Sequence, residues 1–180
     1  MVTGPGGFLD TERIVQTLDL QDGQHVGDFG CGSGYFTIAA AQRVGESGRV
    51  YAVDVQEGPL ESVTSRAQSL GLENIVTVRA DLEKLGGTNI PSDALDIVLL
   101  ANVLFQSSKK DGIIAEAKRT LKMGGRLLVI DWKKGAGGAV PDDLRSQPDE
   151  VRNLVTDAGF TFERDIEAGE YYFGMTFSKK

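Results

Sequence analysis

Asp28, three glycines at alternate positions (Gly30, Gly32 and Gly34) and a second acid, Asp54, are the residues whose types and spacing suit chemistry. The glycines follow a short apolar run, Val26 to Phe29, and precede a helical pattern. At this spacing they let a strand turn sharply into a helix while the backbone comes close to a ligand. Asp54 ends the next apolar run, Val50-Tyr51-Ala52-Val53, with room between for one helix and a return strand. A carboxylate at the tip of a second strand is placed to grip the ribose hydroxyls of a nucleoside.

The dinucleotide fingerprint requires a glycine three positions after its second one, and this chain has Tyr35 there. A dinucleotide loop offers its N–H groups to a pyrophosphate, which an acid ahead of the loop would repel. The pattern D-x-G-x-G-x-G instead resembles the first motif of class I S-adenosylmethionine (SAM)-dependent methyltransferases. SAM carries a sulfonium, an α-amine and an α-carboxylate but no phosphate, so an acid beside the loop suits it.

The elements that must hold these residues alternate between strand and helix. Asp10 caps a helix whose apolar side carries Ile14, Val15 and Leu18. Strands are expected over Gln24–Phe29, Arg49–Val53, Ile75–Arg79, Leu95–Ala101 and Arg126–Asp131. Between them, helices are expected over Tyr35–Val44, from about Pro59 to a stop at Gly71, and over Gly112–Leu121, the last ended by Gly124-Gly125. Near-continuous apolar strands alternating with helices imply a parallel sheet covered on both faces. After a Gly/Pro/Asp-rich connection, Gly135 to Pro148, a short helix over Asp149–Ala158 precedes a β-hairpin, Phe160–Ile166 and Glu170–Phe177, around Ala168-Gly169. The expected architecture is α/β and Rossmann-like, with a seven-stranded, mostly parallel sheet ending in an antiparallel hairpin. We expect one domain over residues 1–180, with an N-terminal segment and helix over 1–20 and a possible lid over 132–148.

The resemblance to SAM-dependent methyltransferases runs from about Val26 to Phe177. It implies that Asp28 helps hold the methionine amine, and that Asp54 accepts hydrogen bonds from both ribose hydroxyls. By the same likeness Val55 packs on the adenine, Asp81 faces its amino group and Leu82 offers a backbone N–H to the ring. The cofactor-binding set so implied is Asp28, Gly30, Cys31, Gly32, Gly34, Tyr35, Asp54, Val55, Ala80, Asp81, Leu82, Ala101 and Asn102. Strand four and its exit, Asp96 to Gln106, match the fourth motif of small-molecule methyltransferases. Arg119-Thr120-Leu121-Lys122-Met123-Gly124-Gly125-Arg126-Leu127 resembles their R-x-L-K-P-G-G-x-L turn, with Met123 in place of proline. The pattern is closest to the ubiquinone/menaquinone-biosynthesis and arsenite methyltransferases. The Asn/Asp-Pro-Pro-aromatic box of the adenine and cytosine N-methyltransferases is missing from Ala101-Asn102-Val103-Leu104, which disfavours that chemistry. The extra helices that cover the acceptor pocket of quinone enzymes are missing too. The acceptor site is then open, completed by a second subunit, or shaped for a large partner.

Composition narrows the partners. The chain of 180 residues has 19 Lys and Arg against 26 Asp and Glu, a net charge of −7, and its basic clusters are short and scattered. Nucleic-acid binding normally shows a basic face, so an RNA or DNA partner is not expected. The single cysteine, Cys31, excludes an internal disulfide and suits the glycine loop as a small packing residue. No metal site is expected. No apolar run approaches the ~20 residues that span a bilayer, and the first five residues do not form a signal peptide, so a cytoplasmic protein is expected. Either a monomer or a homodimer fits.

Methyl transfer from a sulfonium is an in-line displacement that needs alignment and exclusion of water more than a strong base. The absence of a catalytic triad is therefore no objection. His25, the only histidine, begins strand one at the sheet end opposite the ligand crevice and reads as a surface or packing residue. Candidates at the ligand end are Asn102 and Asp131 for catalysis, with Phe105, Gln106 and Trp132 for the acceptor. Asp131 is either the proton acceptor or a cap on strand five. Trp132 either stacks on an aromatic acceptor or anchors the following loop. Tyr35 faces the methionyl group or the core. The expected function is methylation of a small-molecule acceptor, releasing S-adenosylhomocysteine. Methylation of RNA or protein, or a non-catalytic SAM-binding module, are the alternatives. Replacing Asp54 by alanine is expected to weaken SAM binding by about 1.5–3 kcal/mol, from lost charge-assisted hydrogen bonds. Isothermal titration checks this, and an unchanged affinity would mean that the ribose site lies elsewhere.

Overall fold

The structure, a computed structural model, describes residues 9–136 and 140–180. Helix α1 (Thr11–Thr17) precedes β1 (His25–Phe29), α2 (Tyr35–Val44), β2 (Arg49–Asp54), α3 (Glu57–Ser69), β3 (Ile75–Arg79) and β4 (Leu95–Ala101). Then come α4 (Lys110–Thr120), β5 (Leu121–Trp132), α5 (Pro148–Asp157), β6 (Phe160–Ile166) and β7 (Tyr172–Lys179). Short 3₁₀ turns lie at Leu104–Gln106 and Asp142–Leu144. The seven strands form one sheet in the order β3-β2-β1-β4-β5-β7-β6. β1 to β5 pair in parallel, and β7 runs antiparallel to both β5 and β6. Because β1 lies between β2 and β4, the strand order reverses beside it, and a crevice opens there at the carboxyl ends of the strands.

Alternate residues of each central strand feed opposite cores. Ile97 and Leu99 of β4 pack with Val26, Val50, Ile14, Val15, Phe36 and Val44, under α1 and α2. Val98 and Leu100 pack with Phe29, Val53, Ile113, Ile114, Val151 and Val155, under α4 and α5. Asp10 caps α1 as expected, accepting a hydrogen bond from Arg13 N at 3.1 Å.

Helix α4 ends at Thr120, short of the expected stop at Gly124-Gly125. Leu121 is already extended and pairs with Leu95, while Ile97 pairs with Arg126. Residues 122–125 bulge between those pairings, and Gly124, at φ 74°, serves the bulge rather than a helix cap. The last strand starts two residues later than its expected Glu170 and runs on to Lys179.

The long β3–β4 connection has no regular structure, so its backbone groups need side-chain partners. Glu116 of α4, fully buried, supplies them: its carboxylate accepts from Gly86 N (2.7 Å), Thr88 N (3.3 Å) and Thr88 Oγ1 (2.6 Å). Arg119 pairs with the same carboxylate at 2.8 Å and donates to Ile90 O at 2.7 Å. Burial works to raise the Glu116 pKa, but the Arg119, Thr88 and Gly86 hydrogen bonds outweigh it and bring it down to about 2. A depressed carboxyl pKa contributes stability above its ordinary value of 4.5 and loses it as the pH falls toward 2. Glu116→Ala is expected to cost about 3 kcal/mol at neutral pH and to lower Tm by about 6–12 °C. The difference from wild type should shrink in acid, as denaturant melts at pH 7 and pH 3 would show.

Candidate functional site

A cavity of about 600 Å³ opens at the carboxyl ends of β1, β2, β3 and β4. That is within the usual range for small-molecule sites. The glycine loop forms its floor. Gly34 takes φ 77° as the N-cap of α2, and a Cβ there would lie 2.5 Å from Val63 Cγ2, so the turn admits only glycine. A Cβ on Gly32 would meet nothing within 4 Å, which leaves the backbone bare to the open space beside it.

Gly32 N donates to Asp54 Oδ2 at 3.1 Å, and Gln56 N donates to Asp54 Oδ1 at 3.0 Å. Two backbone groups thus fix the carboxylate at the tip of β2, and each oxygen keeps a lone pair for a ligand. Asp28 is 1% exposed and accepts a 2.5 Å hydrogen bond from Thr37 Oγ1. Burial raises its pKa to about 6 against that hydrogen bond, with Asp54 adding to the rise. Burial, with Asp28 and Asp54 nearby, also pushes the Cys31 thiol up, so it stays protonated and inert.

Of the residues singled out in the sequence, the cavity gathers Asp28, Gly30, Cys31, Gly32, Tyr35, Asp54 and Val55. Ala80, Asp81, Leu82, Ala101, Asn102 and Gln106 complete that set. Gly34 shapes the loop without lining the space. Asn102 sits in the left-handed region at φ 59°, and its Oδ1 is buried with no hydrogen-bond partner. Such strain in a non-glycine residue is uncommon and collects at functional sites. Gln106 Nε2 donates to Asn102 O at 2.6 Å.

Besides Gly34, three candidates are not among the lining residues. Asp131 is fully buried: its Oδ2 accepts from Phe105 N (2.9 Å) and its Oδ1 from Trp132 N (2.8 Å). Burial raises its pKa to about 6 against those two hydrogen bonds. It ties β5 to the Leu104–Gln106 turn. Phe105 packs at the edge of the core under α1 and α2. Trp132, 6% exposed, stacks on Tyr172 with centroids 4.5 Å apart, beneath the Arg145 guanidinium.

No described residue of the 132–148 stretch lines the cavity. Arg145 and Ser146 are buried, with Lys110 Nζ on Ser146 Oγ at 3.0 Å. The N-terminal segment lines the cavity instead, through Leu9 and Thr11; residues 1–8 of that expected segment and 137–139 of the expected lid lie outside the described residues. Sequence reasoning also missed Phe36, Glu83 and Ser107 at the rim. Ser107 Oγ donates to Glu83 Oε1 at 2.7 Å, a pairing across distant loops that no local motif signals.

Residues 20–172 match a family model described as a methyltransferase domain. The chain belongs to that family. A SAM-dependent methyltransferase from Aquifex aeolicus superposes with a TM-score of 0.85 at 30% identity, over 94% of this chain and 89% of that one. The ubiquinone/menaquinone biosynthesis C-methyltransferase UbiE of Paraburkholderia phymatum is 34% identical over 87% of this chain and 61% of its own length. The arsenite methyltransferase of Halobacterium salinarum is 26% identical over 83% of this chain and 36% of its own length. The chain spans about half the length of the curated relatives it matches. The methyltransferase family brings with it the class I fold and SAM as cofactor, as the glycine loop implied.

Below pH 6 the Asp28 carboxyl is largely neutral and attracts no cation, and above pH 6 it is charged. A cation held beside it favours the charged form. SAM affinity is therefore expected to be about 10-fold weaker at pH 5 than at pH 7.5, with the step lost in Asp28→Asn. Titration calorimetry across that range checks it.

Proposed function

We propose that the cavity binds SAM and that the chain transfers its methyl group to a small-molecule acceptor. One observation carries this reading: two fixed carboxylates, Asp28 and Asp54, share a cavity that no described Lys, Arg or His lines. Such a site welcomes a sulfonium nucleoside and disfavours phosphates. The residues present fit the cofactor. Asp54 has spare lone pairs for two ribose hydroxyls, and Asp28 with the unpartnered Asn102 Oδ1 suits the cationic methionyl end. Val55, 57% exposed beside the Asp54 carboxylate, offers apolar surface to the adenine, while Asp81 and the Leu82 N–H take its polar edge. When bound, SAM supplies an electrophilic methyl group on sulfur.

What the protein adds is alignment and dryness. Asn102, Gln106 and Tyr35 line the same cavity and are the side chains it offers to an acceptor. Asp131 acts through the backbone it holds: fully buried and absent from the cavity lining, it keeps the Leu104–Gln106 turn in place as a positioning residue rather than as the proton acceptor. Phe105 and Trp132 support that turn and the β5 exit from behind. The C-methylation in the relatives' name, and a cavity sized for a metabolite, favour a small molecule over a polymer.

Incubation with methyl-labelled SAM and cell extract tests the reading. Label is expected in the low-molecular-weight fraction. Label in protein or RNA, or none transferred, would overturn it.

A further inference from the structure

The sheet has two edge strands, β3 and β6, and they are built differently. β6 is blunted: its pairing with β7 shifts register between Phe162 and Arg164, and Glu163-Arg164-Asp165 are exposed charges. β3 carries neither device. Its pairing with β2 runs without a shift, and Ile75-Val76-Thr77-Val78 are four β-branched residues in a row, followed by Arg79. The backbone groups it leaves open can be named. Val50 N donates to Asn74 O, and Ala80 N donates to Asp54 O, so the even-numbered residues of this stretch bond to β2. Backbone groups alternate in direction along a strand, so those of Ile75, Thr77 and Arg79 point away from the sheet. Between this edge and α3 lies an open groove of about 570 Å³, with Thr77 and Arg79 on its strand side.

Such an edge takes another strand, and the charges that flank it say which. Glu73 and Arg79 stand at opposite ends of the stretch with opposite signs. Glu73 is exposed and makes no ion pair among the described residues. Arg79 reaches Glu57 at 3.4 Å and Val55 O at 3.3 Å, long and exposed contacts that are worth little. A strand with an acid at one end and a base at the other is complementary to its own antiparallel copy. A twofold axis at Val76 sets Ile75 opposite Thr77 of the second copy, both with open backbone groups, and Glu73 opposite Arg79, twice over. An axis at Thr77 satisfies the backbone equally but sets Glu73 opposite Asp81, like charge against like, and Ile75 opposite Arg79. An axis between two residues faces open groups with occupied ones. We propose that two copies of this chain join edge to edge through β3, antiparallel about a twofold axis at Val76, with Glu73 of each copy paired to Arg79 of the other.

Charge swaps test this. Sedimentation equilibrium is expected to show wild type as a dimer that dissociates on dilution. Glu73→Arg and Arg79→Glu are each expected to weaken that dimer at least about 10-fold, because each sets like charges opposite one another. An equimolar mixture of the two variants is expected to recover to within about 3-fold of wild type, since each copy then offers the charge the other lacks. A variant that merely misfolds gains nothing from mixing. Val76→Cys reads the register, because Val76 faces itself across the axis at a separation a disulfide spans. It is expected to cross-link under mild oxidant faster than Thr77→Cys, while Cys31, the only native cysteine, is buried. A monomer at every concentration reached, higher oligomers, no recovery on mixing, or faster cross-linking at Thr77→Cys would overturn the inference.

Discussion

The hydrogen bond from Gly32 N to Asp54 Oδ2 joins the two loops on which the cavity is built. It links the first strand exit to the second, while the positive φ angles of Gly30, Gly32 and Gly34 and the tight seat of Gly34 on Val63 account for the glycines. The parallel register of β1 with both β2 and β4 places the strand ends in one plane, so one rigid edge carries Asp28, Asp54 and Asn102. Sites on such edges are held more firmly than sites on free loops.

Around this edge the chain accepts local destabilisation. Asp28 and Asp131 are buried carboxyls whose pKa values are pushed up to about 6. Asn102 holds a left-handed backbone, and Thr11 and Asn102 carry unpaired buried oxygens. The buried carboxylate of Glu116, away from the cavity, is by contrast fully satisfied and has its pKa lowered. The contrast separates two uses of buried charge. At Glu116 it orders a loop; at Asp28 burial outweighs the hydrogen bonds from Thr37.

Asp131 shows how the same residue type reads differently once its neighbours are known. From the chain alone, an acid at the end of strand five can take a proton or cap a turn. In three dimensions Phe105 N and Trp132 N each donate to one of its oxygens, and the side chain is buried away from the cavity lining. Trp132 follows the same logic, because Tyr172 comes from β7, beside β5 in the sheet but far along the chain.

What the amino-acid order determined by itself was the alternation of strands and helices, the glycine turn and the two acids beside it. Those signals are local: apolar runs, glycine spacing and a carboxylate at a strand end act within a few residues of one another. Helix and strand limits held to within a few residues, except where pairing intervened, as when Leu121 left α4 to join Leu95. Tertiary structure alone decided that Leu9 and Thr11 would line the cavity, that Glu116 would organise the β3–β4 connection, and that Asp131 would be buried. Each depends on contacts between segments far apart in the chain, and no local pattern encodes which buried polar group finds a partner and which does not.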